Sequence, residues 1–195
     1  MSALVHDRRE EVLQIATRLF YEHGFQSVGI RMIADTVGIQ PSSLYYHFSS
    51  KEEILFQIAL RATQDFVESL IETLGNPGDR VKSLKSIVRH HVKYFADHQL
   101  AQRVVERESR ELSSVHRKEI RVRQRAYVDQ LTHFVTDGAT EGVLHVRNPA
   151  IATRAFLDML NHFSRWFEPR PGMGIDEVAD LYAELIVDGL LGARS

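Results

Sequence analysis

The chain has 195 residues, 44% of them hydrophobic and 26% charged, with a formal net charge of −2 and no cysteine. That length builds a sizeable core in one or two domains, and the missing thiols exclude disulfides, thiol catalysis and thiolate metal sites while agreeing with a reducing compartment. No apolar run approaches the roughly 20 residues that cross a bilayer, and the charged N-terminus lacks a signal-peptide pattern, so a cytoplasmic location is expected.

Val12, Ile15, Ala16, Leu19 and Phe20 recur at helical spacing in a stripe that stops near Gly24, which predicts a first helix. Ile33, Ala34 and Val37 give a second helix one apolar face, and Gly38 ends it by accepting positive φ. Pro41 suits the first turn of a third helix, because its missing N–H would be unpaired there and its φ is already helical. In that helix Leu44 and Phe48 lie four apart and reach inward, which leaves Ser42, Ser43, Tyr45, Tyr46 and His47 around the rest of the circumference. Lys51 opens the next helix, where its ammonium and the free backbone N–H groups suit a phosphate. Two short helices about a glycine turn, the second presenting hydrogen-bonding groups outward, have the layout of a DNA-reading helix-turn-helix. An ordinary helical hairpin with a polar face has the same local pattern; the first helix, as a third packing element, favours DNA reading. Bulk charge contributes little: residues 1–51 hold Arg8, Arg9, Arg18, Arg31 and Lys51 against Asp7, Glu10, Glu11, Glu22 and Asp35. Phosphate attraction must come from placement, and the salt dependence from few contacts per subunit.

Glycine and proline then divide the chain at Gly75-Asn76-Pro77-Gly78, Gly142, Asn148-Pro149 and Pro169 to Gly174. The breaks predict helices over about 52–74, 79–96, 99–111, 114–139, 149–167 and 175–191, which make nine with the first three in an all-α chain. A division into a DNA-binding domain, 1–51, and a second domain, 52–195, follows. Ile151, Ala155, Phe156, Met159, Leu160 and Phe163 form one broad apolar stripe, and Val178, Leu181, Tyr182, Leu185, Ile186 and Leu190 form another. Such helices need partners on more than one side: either a second subunit, in a four-helix bundle, or this chain's own core. His90, His91 and His98 share one predicted helix, but no His-Glu-x-x-His or comparable ligand spacing occurs, and exposed or core histidine is the expected role. No nucleophile elbow, phosphate loop or dinucleotide glycine motif is present, so neither an enzyme nor a cofactor or metal is expected.

Residues 8–60 resemble the N-terminal domain of the tetracycline-repressor (TetR) family of bacterial transcription regulators. The resemblance is carried by Ala16 to Phe25, the Ile33-Ala34 pair, Val37-Gly38-Ile39, and Leu44-Tyr45-Tyr46-His47-Phe48 through Lys51-Glu52-Glu53-Ile54-Leu55. It implies a nine-helix, homodimeric repressor whose C-terminal domain binds a small molecule and thereby controls operator affinity. It further implies that Tyr46, His47 and Lys51 contact the DNA backbone, with Ser42, Ser43 and Tyr45 as candidates for base edges or adjoining phosphates. It also implies that the last two helices form the dimer interface, through Ile151, Ala155, Val178, Leu181, Tyr182, Leu185 and Ile186. One departure stands out: before the second helix, where the family usually offers Ser or Thr, the chain has Gly29, which has no hydroxyl for a phosphate. Arg31, at the same helix start, is the candidate to compensate.

Residues 164–191 are similar to the C-terminal end of family members that control fatty-acid and sterol-ring breakdown, which respond to acyl-coenzyme A thioesters. An acyl-CoA needs cations for its phosphates and a dry channel for its chain. Arg103, Arg107, Arg110, Arg117, Lys118, Arg121, Arg123 and Arg125 outnumber Glu106, Glu108, Glu111 and Glu119, and arginine forks suit phosphate. The same alternation equally solvates a helix face through i, i+4 pairs. Arg165 beside Trp166 suits an adenine or pantetheine group, while Phe95, Phe134, Phe156, Met159 and Phe163 suit either a chain-binding cavity or plain core. The expected function is therefore a repressor released from a palindromic operator by an acyl-CoA-type or other hydrophobic effector. The alternatives are a regulator that senses another apolar molecule such as a drug, and a helical lipid carrier without DNA binding.

Overall fold

In the computed structural model, residues 2–75, 78–168 and 173–193 are described, with the side chains of all of these except 2–7, 65, 69, 71–75 and 164. Asn76-Pro77 and 169–172, parts of two predicted breaks, lie outside the described residues. The described residues form α-helices: α1 Ser2–His23, α2 Ile30–Val37, α3 Pro41–His47, α4 Lys51–Gly75, α5 Arg80–Asp97, α6 Gln99–Glu108, α7 Ser114–Thr140, α8 Pro149–Asn161, α9 Phe163–Trp166 and α10 Ile175–Ala183. A 3₁₀ turn, Ser109–Glu111, follows α6, and a π-helical stretch, Glu184–Leu190, continues α10.

The chain divides into two compact units, Met1–Thr63 with Leu100–Arg121, and Gln64–Gln99 with Val122–Ser195. The expected boundary at 51/52 falls at the first turn of α4, inside the first unit.

In the first unit α2 packs on α1 and on α3. Val12, Ala16, Phe20, Ile33, Ala34, Leu44 and Ile54 have no exposed surface and make one core. Gly38 ends α2 in the left-handed region, φ 78°, where its N–H reaches back to Ala34 and Asp35 and the next N–H, of Ile39, also bonds the Ala34 carbonyl. Pro41 stands at the start of α3 as predicted, and the Phe48 N–H closes that helix on the Leu44 carbonyl at 3.0 Å. The Ser50 hydroxyl accepts from the Glu53 N–H at 3.0 Å and so caps α4, with Glu52 and Glu53 in its positively polarised first turn. Glu52 also accepts from the Ser113 N–H and contacts His116 Nδ1 at 2.8 Å, while the His116 ring stacks on Phe56. Those contacts hold the start of α7 against α4.

In the second unit Leu70, Leu84, Ile87, Val92, Leu131, Phe156, Leu160 and Ile186 are wholly buried in a second core, with α5 packed on α8 and α10. Asp79 caps α5 and Asn148 caps α8, the latter followed by Pro149 at the first helical position. Gly138 lets the Arg80 side chain cross α7, since a Cβ there would lie 2.7 Å from both Arg80 and Leu144. Arg80 lies over the Phe134 ring and forks onto Glu141, holding that carboxyl below the ordinary carboxylate range.

Three predicted helices differ in detail. The helix expected over 99–111 tightens to 3₁₀ after Glu108. The one expected over 149–167 breaks at His162, leaving the single turn α9. The last one widens after Ala183, where the Leu191 N–H bonds the Ile186 carbonyl five residues back. That widening puts Leu191, rather than Leu190, on the buried face below Ile186: Leu191 has no exposed surface and Leu190 is 41% exposed.

Candidate functional site

The outer face of α3 carries the side chains that the sequence singled out. Leu44 is the only buried side chain within α3, and Phe48, just past its end, is also buried. Ser42, Ser43 and Tyr45 are exposed, Tyr46 is 83% exposed, and His47 is partly covered. Ser42, Ser43, Tyr46 and His47 line an open depression, and the Tyr46 ring meets the edge of His47 at 5.2 Å. The arrangement is a short rod fastened from behind, with hydroxyl and imidazole groups projecting forward.

Lys51 holds more of the fold than its expected role required. Its ammonium donates to the Phe25 carbonyl at 2.8 Å and lies 4.2 Å from the centre of the Phe25 ring, fixing the turn after α1. Burial pulls its pKa below the usual lysine value, with the Glu111 carboxylate opposing. Two of its three N–H donors remain for a phosphate. Arg31 is exposed on the first turn of α2, and Gly29 caps that helix without a side-chain hydrogen bond.

The structure also separates Arg8 from Arg9. Arg8 pairs with Glu11 at 2.7 Å, whereas the Arg9 guanidinium lies 5.1 Å from the centre of the Phe48 ring, beside the end of α3. Spacing along α1 does not show this, because Phe48 is far away in sequence.

The residues proposed for an effector fall in different units. Arg103 and Arg107 belong to the first. Arg103 donates to the Tyr21 hydroxyl at 3.1 Å, and Arg107 donates to the Phe20 and Tyr21 carbonyls at the end of α1 and to the buried Glu108 carboxylate at 2.7 Å. These arginines tie α6 to α1. Phe95, Phe134, Phe156 and Phe163 are buried in the core of the second unit. Met159 is not among them; it stands exposed on α8. Arg165 and Trp166 are exposed on α9, where Trp166 meets Phe163 edge-on at 5.4 Å and lies parallel to Tyr182 at 6.3 Å.

The apolar stripes divide in the same way. Val178 and Ile186 are buried in this chain's own core and cannot reach a partner, whereas Ile151 (65%), Leu181 (56%) and Leu185 (57%) are exposed, along with Ala155, and Tyr182 is half-buried. His91 is buried while His98 stacks on Tyr94 at the surface, so the two histidines do not share a site. Among the described residues no group of three His, Asp or Glu side chains is placed to hold a metal, and no helix is long and apolar enough to cross a membrane.

Two family profiles match the chain: "Tetracyclin repressor-like, C-terminal domain" over residues 77–190, and "Bacterial regulatory proteins, tetR family" over residues 12–58. The chain is 27% identical over 195 residues to the HTH-type transcriptional repressor KstR2 of Mycobacterium tuberculosis, an alignment that covers 95% of this chain and 94% of that protein. The solved TetR-family regulator PfmR of Thermus thermophilus superposes with a TM-score of 0.85 at 31% identity, covering 92% of this chain and 98% of that one. AibR, solved in complex with isovaleryl coenzyme A and operator DNA, has the same fold, with a TM-score of 0.83 at 23% identity over 92% and 98% of the two chains.

Proposed function

The chain belongs to the tetracycline-repressor family of bacterial transcriptional regulators, and on that premise we propose that it is a cytoplasmic, homodimeric repressor released from a palindromic operator by an acyl-CoA-type effector. The observation that carries the DNA half is α3, anchored by Leu44 and Phe48, with Tyr46 and its neighbours facing solvent. Two such helices one DNA turn apart, about 34–36 Å, read successive major grooves, and only a dimer supplies two. Ile151, Ala155, Leu181, Tyr182 and Leu185 are the residues offered to the partner. Tyr46, His47, Lys51, Arg31 and Arg9 serve the phosphates and set register, while Ser42, Ser43 and Tyr45 face the bases.

The end-to-end similarity to the transcriptional repressor KstR2 supports repression, and the isovaleryl coenzyme A complex of the similarly folded AibR supports the effector half. Arg165 and Trp166 are suited to the nucleotide end of such a ligand, and the phenylalanine-rich core of the second unit to its acyl end. Release follows if the effector prefers a dimer in which the two reading helices no longer match adjacent grooves. A differential affinity of about 1–3 kcal/mol weakens operator binding roughly 5- to 150-fold.

The test is a gel shift on an operator fragment selected from genomic DNA, titrated with acyl-CoAs of short, medium and long chains and with free coenzyme A. The proposal expects release by one acyl class and none by coenzyme A. A complex indifferent to every acyl-CoA refutes this effector class. Release by an apolar compound without phosphate, unchanged by Arg165→Ala, assigns the protein to the drug-type alternative.

A further inference from the structure

His91 on α5 and Tyr127 on α7 are buried, and neither ring nitrogen of the histidine nor the phenol oxygen has a hydrogen-bonding partner. Both rings lean on one aromatic side chain, Phe66 of α4: His91 at 4.4 Å and Tyr127 at 5.6 Å between ring centres, each steeply inclined to it. Phe95 closes the group at 4.4 Å from His91 and 5.4 Å from Phe66. Buried polar groups in proteins are normally paired, and one left without a partner costs stability that Phe or Leu at the same place would not. Two such groups in one aromatic nest are poor packing and good recognition.

The protonation states define what the nest recognises. Burial, with His90 alongside, takes the His91 pKa down to about 3, and the Asn161 side chain near the ring opposes this. Burial likewise pushes the Tyr127 phenol well above its ordinary value. At neutral pH the two groups packed on Phe66 are therefore an uncharged imidazole, with one donor and one acceptor, and a phenol that keeps its donor. A carboxylate brought here would be left without a compensating charge. A carbonyl oxygen has two lone pairs, one for each donor, and no charge to desolvate.

We propose that His91 and Tyr127 form the polar end of an effector subsite that takes an uncharged oxygen acceptor, a ketone or acyl carbonyl, on an otherwise apolar molecule. The inference rests on the effector-binding reading above. Because Phe66 and Phe95 pack directly against His91, a ligand reaching it must displace one of these rings, stabilising a minor side-chain arrangement.

The experiment compares three probes by calorimetric titration of the full chain: decanoyl-coenzyme A, its thioether analogue S-decyl-coenzyme A, which lacks the carbonyl, and 2-undecanone, which lacks the coenzyme. Wild type is expected to prefer decanoyl-CoA over the thioether by about tenfold or more. Tyr127→Phe, nearly the same shape, should bring the two within about threefold by weakening only the carbonyl compound. His91→Leu should act in the same direction. Tyr127→Phe without probe should melt no lower than wild type, because it removes an unpaired group rather than a bond. If neither coenzyme compound binds but 2-undecanone does, and Tyr127→Phe weakens it, the acyl-CoA reading fails and the carbonyl subsite stands. Equal binding of decanoyl-CoA and the thioether to wild type, retention of the preference in Tyr127→Phe, or no binding by any of the three probes overturns the proposal.

Discussion

Leu44 and Tyr46 stand two residues apart on α3 and should fail in opposite ways when cut back to alanine. α3 has seven residues, too few to be helical alone, and Leu44 is its one buried side chain. Leu44→Ala removes a fully buried side chain and leaves a cavity against Ile33, Ala34 and the rest of that core, a loss of about 2–5 kcal/mol. Against a typical domain stability of about 5–15 kcal/mol, that is enough to loosen the reading helix and lower affinity for every duplex. Tyr46 is 83% exposed, so Tyr46→Ala should change stability by no more than about 0.5 kcal/mol. Losing one phosphate hydrogen bond worth about 1 kcal/mol costs roughly 5-fold per subunit, or roughly 30-fold for a dimer on one site. Fluorescence anisotropy on operator and random duplexes at one salt concentration, beside urea melts read by circular dichroism, separates the two. These roles for Leu44 and Tyr46 are wrong if Tyr46→Ala loses stability in step with affinity, if it changes the ratio of operator to random binding, or if Leu44→Ala keeps both stability and affinity.

Gly29→Ser should gain function. A Cβ there meets nothing within 4 Å and φ is −98°, so the hydroxyl can cap α2 and reach a phosphate; stability should rise by a few tenths of a kcal/mol, and anisotropy should show DNA binding tightened a few-fold. Arg107→Ala removes the donors on the last carbonyls of α1 and strips the partner from the buried Glu108. With the arginine half exposed, the expected loss is about 1–2 kcal/mol, read as a lower urea midpoint. Rescue by Arg107→Lys to the full wild-type midpoint would argue against the forked contact. Leu181→Glu with Leu185→Glu places charge on two exposed apolar positions and should yield a folded monomer by sedimentation velocity, with wild-type helicity. Loss of helicity instead would mean that these residues serve this chain's own core.

The reading element was legible because its information is local. Gly38, Pro41 and the four-residue step from Leu44 to Phe48 fix where helices stop, start and turn inward, and each needs only its neighbours. The arginines were not legible in that way. Spacing shows a run rich in Arg and Glu, but Arg103 and Arg107 also reach the last turn of α1, more than 80 residues away, and helical periodicity says nothing of such pairings. The apolar stripes were legible as stripes but not as faces, because a core-facing and a partner-facing leucine look alike in sequence. Val178 and Ile186 turned inward while Leu181 and Leu185 turned outward, and the π-helical widening after Ala183 moved the inward position from Leu190 to Leu191. His91 is a residue whose neighbours Ile87, Val88 and Val92 placed it on the buried side of α5, yet its lack of a partner appears only in three dimensions.

The most direct test of the account is to let the purified protein select fragments from genomic DNA and to footprint the strongest. Two identical chains presenting α3 to successive major grooves predict protection over an inverted repeat, with half-site centres about 34–36 Å, or a whole multiple of one DNA turn, apart, and loss of that protection with Leu181→Glu and Leu185→Glu together. Enriched sites without dyad symmetry, or protection that persists when the protein is monomeric, would contradict it.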